Sequence, residues 1–238
     1  MKVIGLIGGM SWESTVEYYR LINESVREKL GGLHSARCVL YSVDFAEVAE
    51  LQRRNQWVEA AQLLVDAAQK VEAAGADLVL ICTNTMHKLA DTVQAGIGIP
   101  LLHIADPTAE KVKQAGLTRV GLLGTRFTME EDFYRGRLTN RHGLQIVIPN
   151  PEDRDAVHRI IFEELCVGAI RPESKSRMAG IMNRLVASGA EGIILGCTEL
   201  DLLVENRDCR VPLFDTTRIH ALAAVDHALK EPAYNQLS

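Results

Sequence analysis

Short apolar, β-branched runs alternate with longer stretches of helical period along this chain. The pattern predicts a strand over Val3 to Ile7, a helix from Glu13 to Leu30, a strand over Ala36 to Ser42, a helix from Gln56 to Ala74 and a strand over Leu78 to Cys82. Alternation of this kind builds parallel βαβ units. The strands read as continuous apolar stretches rather than alternating ones, as expected of a parallel sheet covered by helices on both faces. The fold class is therefore α/β.

The second half repeats the first. Gly5-Leu6-Ile7-Gly8 returns as Gly121-Leu122-Leu123-Gly124, each a buried strand running into a glycine turn. Gly75-Ala76-Asp77-Leu78-Val79-Leu80-Ile81-Cys82-Thr83 returns as Gly189-Ala190-Glu191-Gly192-Ile193-Ile194-Leu195-Gly196-Cys197, and Ile99-Pro100-Leu101-Leu102 as Val211-Pro212-Leu213-Phe214. The matches keep their order and a nearly constant offset. They predict two similar Rossmann-like lobes, each a mainly parallel sheet flanked by helices and related by a pseudo-twofold repeat. The first covers residues 1–106, with 212–238 returning to it, and the second covers 107–211. Ligands in open parallel sheets bind beyond the carboxyl ends of the strands, so the cleft between the lobes is the expected site. Thr83 and Cys197 stand at equivalent strand ends and can approach one ligand from opposite sides.

Composition narrows the ligand. The chain has 238 residues, 47% of them hydrophobic, which suits a soluble globular protein. A formal charge of -5 and scattered Lys and Arg leave no basic footprint for nucleic acid. The apolar run after Met1-Lys2 is too short for a signal peptide, and no other stretch is long enough to span a bilayer, so a cytoplasmic location without membrane contact is expected. Five cysteines without CxxC pairing suggest free thiols, and seven dispersed histidines offer no metal-ligand spacing. A small molecule is left as the partner. Gly5-Leu6-Ile7-Gly8-Gly9 also lacks the GxGxxG spacing of a dinucleotide site.

At the first strand end, Cys82-Thr83-Asn84-Thr85-Met86-His87 sets hydroxyl and amide groups where a strand gives way to a helix, an arrangement able to cradle a carboxylate. Asn84 or Thr85 could equally be a plain helix cap. At the second, Gly196-Cys197-Thr198-Glu199 repeats the layout with a thiol in front. A cysteine there could be apolar filler. At a helix N-terminus, however, its thiol pKa is expected to fall, a shift from ~8.5 to ~7 needing about 2 kcal/mol.

These residues resemble the aspartate/glutamate racemase superfamily, most closely its bacterial branch of L-aspartate/glutamate-specific, broad-specificity amino-acid racemases. The likeness runs over essentially the full length. It rests on Gly8-Gly9-Met10-Ser11-Trp12-Glu13-Ser14-Thr15, Asp44-Phe45 with Gln52-Arg53, Asn84-Thr85-Met86-His87, Gly124-Thr125 with Phe133-Tyr134, and Gly196-Cys197-Thr198-Glu199. The resemblance implies an isomerase that works without pyridoxal phosphate or any other cofactor: one residue removes the α-proton and another, on the opposite face, returns one. It also implies that Met10, Gln52, Asn84, Thr85, Thr125 and Thr198 surround the substrate, and that the protein is a homodimer. His87 and Glu199 could orient catalytic side chains or simply satisfy buried backbone.

Two departures from the family pattern matter. The first family cysteine aligns with Thr83, a poor base without an activating partner. The expectation is asymmetric traffic, with Cys197 deprotonating the L isomer, Thr83 reprotonating the other face, and the D-to-L direction slow. The second is the stretch Glu163-Glu164-Leu165-Cys166-Val167-Gly168-Ala169, where many aspartate racemases carry a lysine after the glycine. That leaves the side-chain range open, with Arg53 as a source of positive charge. Related carbanion chemistry of the maleate isomerase or arylmalonate decarboxylase type is the alternative enzyme, and a non-catalytic two-lobed binding protein is the alternative from another class.

Overall fold

The structure, a computed structural model, describes residues 1–230. One sheet has the order β2-β1-β3 and consists of β1 (Ile4–Gly8), β2 (Cys38–Ser42) and β3 (Leu78–Ile81), all parallel. The other has the order β5-β4-β6-β7, built from β4 (Arg119–Gly124), β5 (Gln145–Val147), β6 (Ile193–Gly196) and β7 (Leu213–Asp215), again all parallel. Both put their first strand in the middle, the second on one side and the third on the other. A lone parallel bridge from Val79 to Leu101 takes the place of β7 in the first sheet. Thus the segments matched at Pro100 and Pro212 make the same contact: each prolyl carbonyl accepts a hydrogen bond at 2.9 Å, from Val79 N and Ile193 N respectively.

The first lobe carries α1 (Trp12–Leu30), α2 (Phe45–Arg53), α3 (Trp57–Ala73) and α4 (Ala90–Ala95), then α5 (Ala105–Gln114) leads away. The second carries α6 (Arg126–Glu130), α7 (Asp132–Gly136), α8 (Pro151–Glu163) and α9 (Pro172–Ala187), then α10 (Thr216–Leu229). The predicted strands and long helices are present, with ends displaced by a residue or two. Helix α2 is an addition: it spans only nine residues, started by Asp44, whose carboxylate accepts from Ala46 N. Beyond β3 the chain forms a tight 3-10 turn, Thr85–Leu89, in place of an α-helix through Leu89.

Strands β1, β3 and β6 are buried at every residue, whereas the edge strand β2 is buried at none. The lobes exchange their last helices. Ile104, Ala105, Ala109 and Val112, at and within α5, pack in the core of the second lobe with Leu122 and Ile193. Ala221, Ala224, Val225 and Ala228 of α10 pack in the first, on Ile4, Leu6 and Ile22. Since β7 is held in the second sheet by β6, the chain returns to the first lobe at Thr216 rather than at residue 212. Among the described residues, no helix is long and apolar enough to cross a membrane.

Candidate active site

The carboxyl ends of β3 and β6 open onto one cleft, as the topology of parallel sheets leads one to expect. Met10, Gln52, Thr83, Asn84 and Thr85 line it from the first lobe, and Thr125, Gly196, Cys197 and Glu199 from the second. Phe45, Ile161, Phe162 and Cys166 complete its walls. Of the two proton-transfer candidates and the six residues that the resemblance places around the substrate, Thr198 alone is not in this lining; His87 and Arg53 are also outside it. Thr198 is buried beside it, with its hydroxyl on Ser14 Oγ at 2.8 Å and on Glu199 Oε2 at 2.9 Å.

Glycines let the backbone close up around this cleft. Gly9, at φ +90°, lies against the backbone of Val43, where any Cβ would collide. A Cβ on Gly196 would stand 2.8 Å from the Leu123 carbonyl, and one on Gly124 2.7 Å from the Gly196 carbonyl. The ends of β4 and β6 therefore run together only because both are glycine. That proximity brings Thr125 and Cys197, the residues that follow, into one lining.

Cys197 is not where a helix field would act on it. The first helical structure after it is a three-residue 3-10 turn, Leu200–Leu202. Its partner is instead a carboxylate: the thiol donates to Glu199 Oε2 at 2.9 Å. The other oxygen, Oε1, accepts from Ser11 Oγ at 2.8 Å and Ser14 Oγ at 2.6 Å, both on the first lobe. Burial, and after it the charge of Glu199, push the Cys197 thiol well above its usual range. This reverses the lowered pKa expected from sequence. The thiol is a proton donor at rest, held against an acceptor that can take its proton.

Thr83 is half-buried and, among the described residues, no side chain is hydrogen-bonded to its hydroxyl. Its carbonyl is fixed from below by His87. Ile104 N donates to His87 Nε2 at 3.1 Å, which leaves the proton on Nδ1 to be donated to Thr83 O at 2.7 Å. His87 thus holds the turn that presents Thr83. Cys82, one residue earlier, is wholly buried in the first-lobe core among Ile4, Leu6 and Leu80, away from the cleft.

His87 packs on His103 and His220 at centroid distances of 4.6 and 5.8 Å. Burial, before any charge, drives all three below the usual histidine range, His103 to about 2 and His220 to about 3. Folded pKa values below the unfolded ~6.5 mean that their stabilising contribution is complete above that pH and lost as pH falls through it. Each neutral histidine is expected to withdraw about 1.4 kcal/mol per pH unit below ~6.5. Urea unfolding at pH 7.5, 6 and 5 checks this: stability should fall over that window, and less steeply in His220→Gln. Parallel slopes in the two proteins would contradict it.

Two buried acceptors in the cleft lack donors. Thr216 Oγ1 gives its hydrogen to Leu195 O at 2.7 Å, so its 3.0 Å bond to Asn84 must come from the Asn84 Nδ2 amine. That leaves Asn84 Oδ1 unpartnered. Gln52 Nε2 donates to Met86 Sδ at 3.0 Å, leaving Gln52 Oε1 in the same state. Asn84 makes no capping bond. The Thr85 hydroxyl instead meets that of Thr125 at 2.9 Å, across the lobes.

Two α/β lobes of one topology, meeting at a cleft lined by thiols, hydroxyls and donor-less amide oxygens, define a class of two-lobed α/β enzymes. The chain belongs within it to the Asp/Glu/hydantoin racemase family, whose pattern matches residues 7–224. It is 56% identical to a Yersinia pestis protein assigned to the Asp/Glu racemases, with a TM-score of 0.90 over 97% of this chain and 100% of that one. An aspartate racemase homologue from Pyrococcus horikoshii is 38% identical, with a TM-score of 0.83 and the same coverage. The broad specificity amino-acid racemase RacX of Bacillus subtilis is 24% identical over 230 residues, which is 94% of this chain and 96% of the relative.

Proposed function

We propose that the chain is a pyridoxal-phosphate-independent amino-acid racemase that acts on aspartate, glutamate and further amino acids by two-base α-proton transfer. The observation that carries this is the meeting of Thr83 and Cys197, from equivalent strand ends of the two lobes, in one cleft. Asn84 Oδ1 and Gln52 Oε1, acceptors without donors, suit a substrate ammonium. The Thr85 and Thr125 hydroxyls, paired with each other at 2.9 Å, would turn to donate to the α-carboxylate and to the aci-carboxylate formed as the proton leaves.

In the L-to-D direction the Cys197 proton passes to Glu199, and the resulting thiolate takes the α-proton. Thr83 then protonates the opposite face and recovers its own proton from solvent, to which Glu199 releases the one it accepted. The reverse direction asks the unassisted Thr83 hydroxyl to act as base, which a hydroxyl without an activating partner does poorly.

Racemisation has an equilibrium constant of one, so kcat/KM is equal in both directions and the bias must appear in kcat at saturation, offset in KM. With pure aspartate or glutamate enantiomers, kcat from the L isomer is expected to exceed that from the D isomer by about tenfold or more, a part of the ~10²- to 10⁴-fold that a competent general base contributes. Thr83→Cys should raise the D value toward the L value. Equal kcat values in the wild type would remove the asymmetric assignment.

A further inference from the structure

The space between Thr83 and Cys197 is very small. The cleft leaves only about 20 Å³ open to water-sized atoms, room for about one water. A compartment of about 450 Å³ adjoins it and shares two of its walls, Gln52 and Phe162. An α-carbon with its substituents needs more room than this, and movement of Gln52 or Phe162, the shared walls, would supply it by joining the two spaces. Gln52 is 6% exposed and its Oε1 has no donor, so the wall between them is also the residue best prepared to turn toward a ligand.

The chemistry of the compartment differs from that of the cleft. Beyond the shared Phe162 wall, it is lined by Phe127 and His158, with the His158 ring 4.8 Å from that of Phe162 and 6.4 Å from that of Phe127 between centroids, and by the small Ala49. Burial and then Arg126 hold His158 below the usual histidine range, so it presents an uncharged ring at neutral pH. Among the described residues, no lysine or arginine lines the cleft itself. The only permanent cation lining the compartment, among the described residues, is Arg53, which is 72% exposed and already paired with Glu50 on its own helix. A side chain entering this space meets aromatic surface first and a solvated, neutralised cation last.

We infer that the compartment bounded by Ala49, Phe127, His158 and Phe162 receives the substrate side chain, and that it admits uncharged amino acids whose side chains are apolar and longer than that of aspartate. This rests on the racemase reading and deepens it. Each methylene buried against these walls is worth about fourfold in kcat/KM. Methionine, with an unbranched apolar stem, is the matching probe.

The test follows α-hydrogen exchange in deuterated water for L-methionine and L-aspartate. The wild type is expected to exchange methionine. Ala49→Phe, which narrows the compartment, should lower the ratio of kcat/KM for methionine to that for aspartate at least tenfold, and Ala49→Leu should lower it less. Unchanged thermal midpoints confirm that the variants fold, and the wild-type comparison needs no variant at all. Exchange of aspartate without methionine, or a folded Ala49→Phe with an unaltered ratio, overturns the side-chain compartment and leaves the racemase reading standing. Exchange of neither amino acid overturns that reading and this inference with it.

Discussion

Cys197→Ala is expected to reduce α-hydrogen exchange from L-aspartate or L-glutamate about 10³- to 10⁴-fold. That is the upper part of the ~10²- to 10⁴-fold that a positioned acid or base contributes, and no second thiol in the cleft is prepared to take over. The other thiol in the lining, Cys166, has its pKa driven up by burial and is further opposed by the charge of Glu199. Cys82 lies in the first-lobe core. The substitution removes one sulfur from a side chain that is 8% exposed and takes away one of the donors of Glu199, so the fold should persist with a modest loss of stability. Cys197→Ser separates the thiol's chemistry from its hydrogen bond: the hydroxyl can still donate to Glu199, yet it should restore little exchange, being far less acidic. Proton NMR in deuterated water reads the rate and a melting curve reads the fold. A folded Cys197→Ala variant that keeps a tenth or more of the exchange rate would rule out Cys197 as the proton-transfer group. The same measurement separates a racemase from its alternatives, because a racemase exchanges the α-hydrogen without consuming the amino acid and a binding protein exchanges nothing.

Much of the scaffold was legible because it depends on local pattern. Continuous apolar runs at β1, β3, β4 and β6 announce strands buried on both faces, and the repeated segments around Pro100 and Pro212 announce that the lobes share a topology. Strand ends can be read the same way, so Thr83 and Cys197 could be paired before any contact was known. Contacts between distant segments are a different matter. Ser11 and Ser14 reach Glu199 across 188 and 185 residues, and no periodicity marks a serine on α1 as the partner of a carboxylate at the end of the second lobe. Phe162 and Cys166 were missed for a related reason: they occupy the end of α8 and the turn after it, where an apolar residue reads as core. The one available signal was the segment lacking the family lysine, which contains Cys166 and ends at Ala169. Thr198, which the resemblance put around the substrate, lies beside the lining rather than in it, because its hydroxyl is taken up by Ser14 and Glu199. The helix field expected to lower the Cys197 pKa failed because a three-residue 3-10 turn is too short to carry it.

Glu199→Gln tests what replaced that field, and is expected to lower kcat about 10²- to 10³-fold with little change in KM. Both carboxylate oxygens are fully used: Oε1 by Ser11 and Ser14, Oε2 by Cys197 and Thr198. Glutamine keeps the shape, and serine and threonine hydroxyls can turn to accept from its amine, so the cluster can be satisfied again. The thiol proton, however, loses its ionised acceptor. Two roles for Glu199 then give opposite outcomes. Its charge helps to push the Cys197 pKa up; if it were only an electrostatic neighbour, removing it would ease thiolate formation, shift the pH–rate profile toward lower pH and raise the rate at neutral pH. If it receives the thiol proton, kcat falls even though the thiolate is intrinsically easier to form, because the only nearby group able to take the proton has gone. The second outcome is the expected one. Glu199→Asp retains the charge but shortens the reach, and should recover part of kcat only if the carboxylate still meets the sulfur. A Glu199→Gln variant whose kcat equals or exceeds that of the wild type would reduce Glu199 to a structural brace between the lobes.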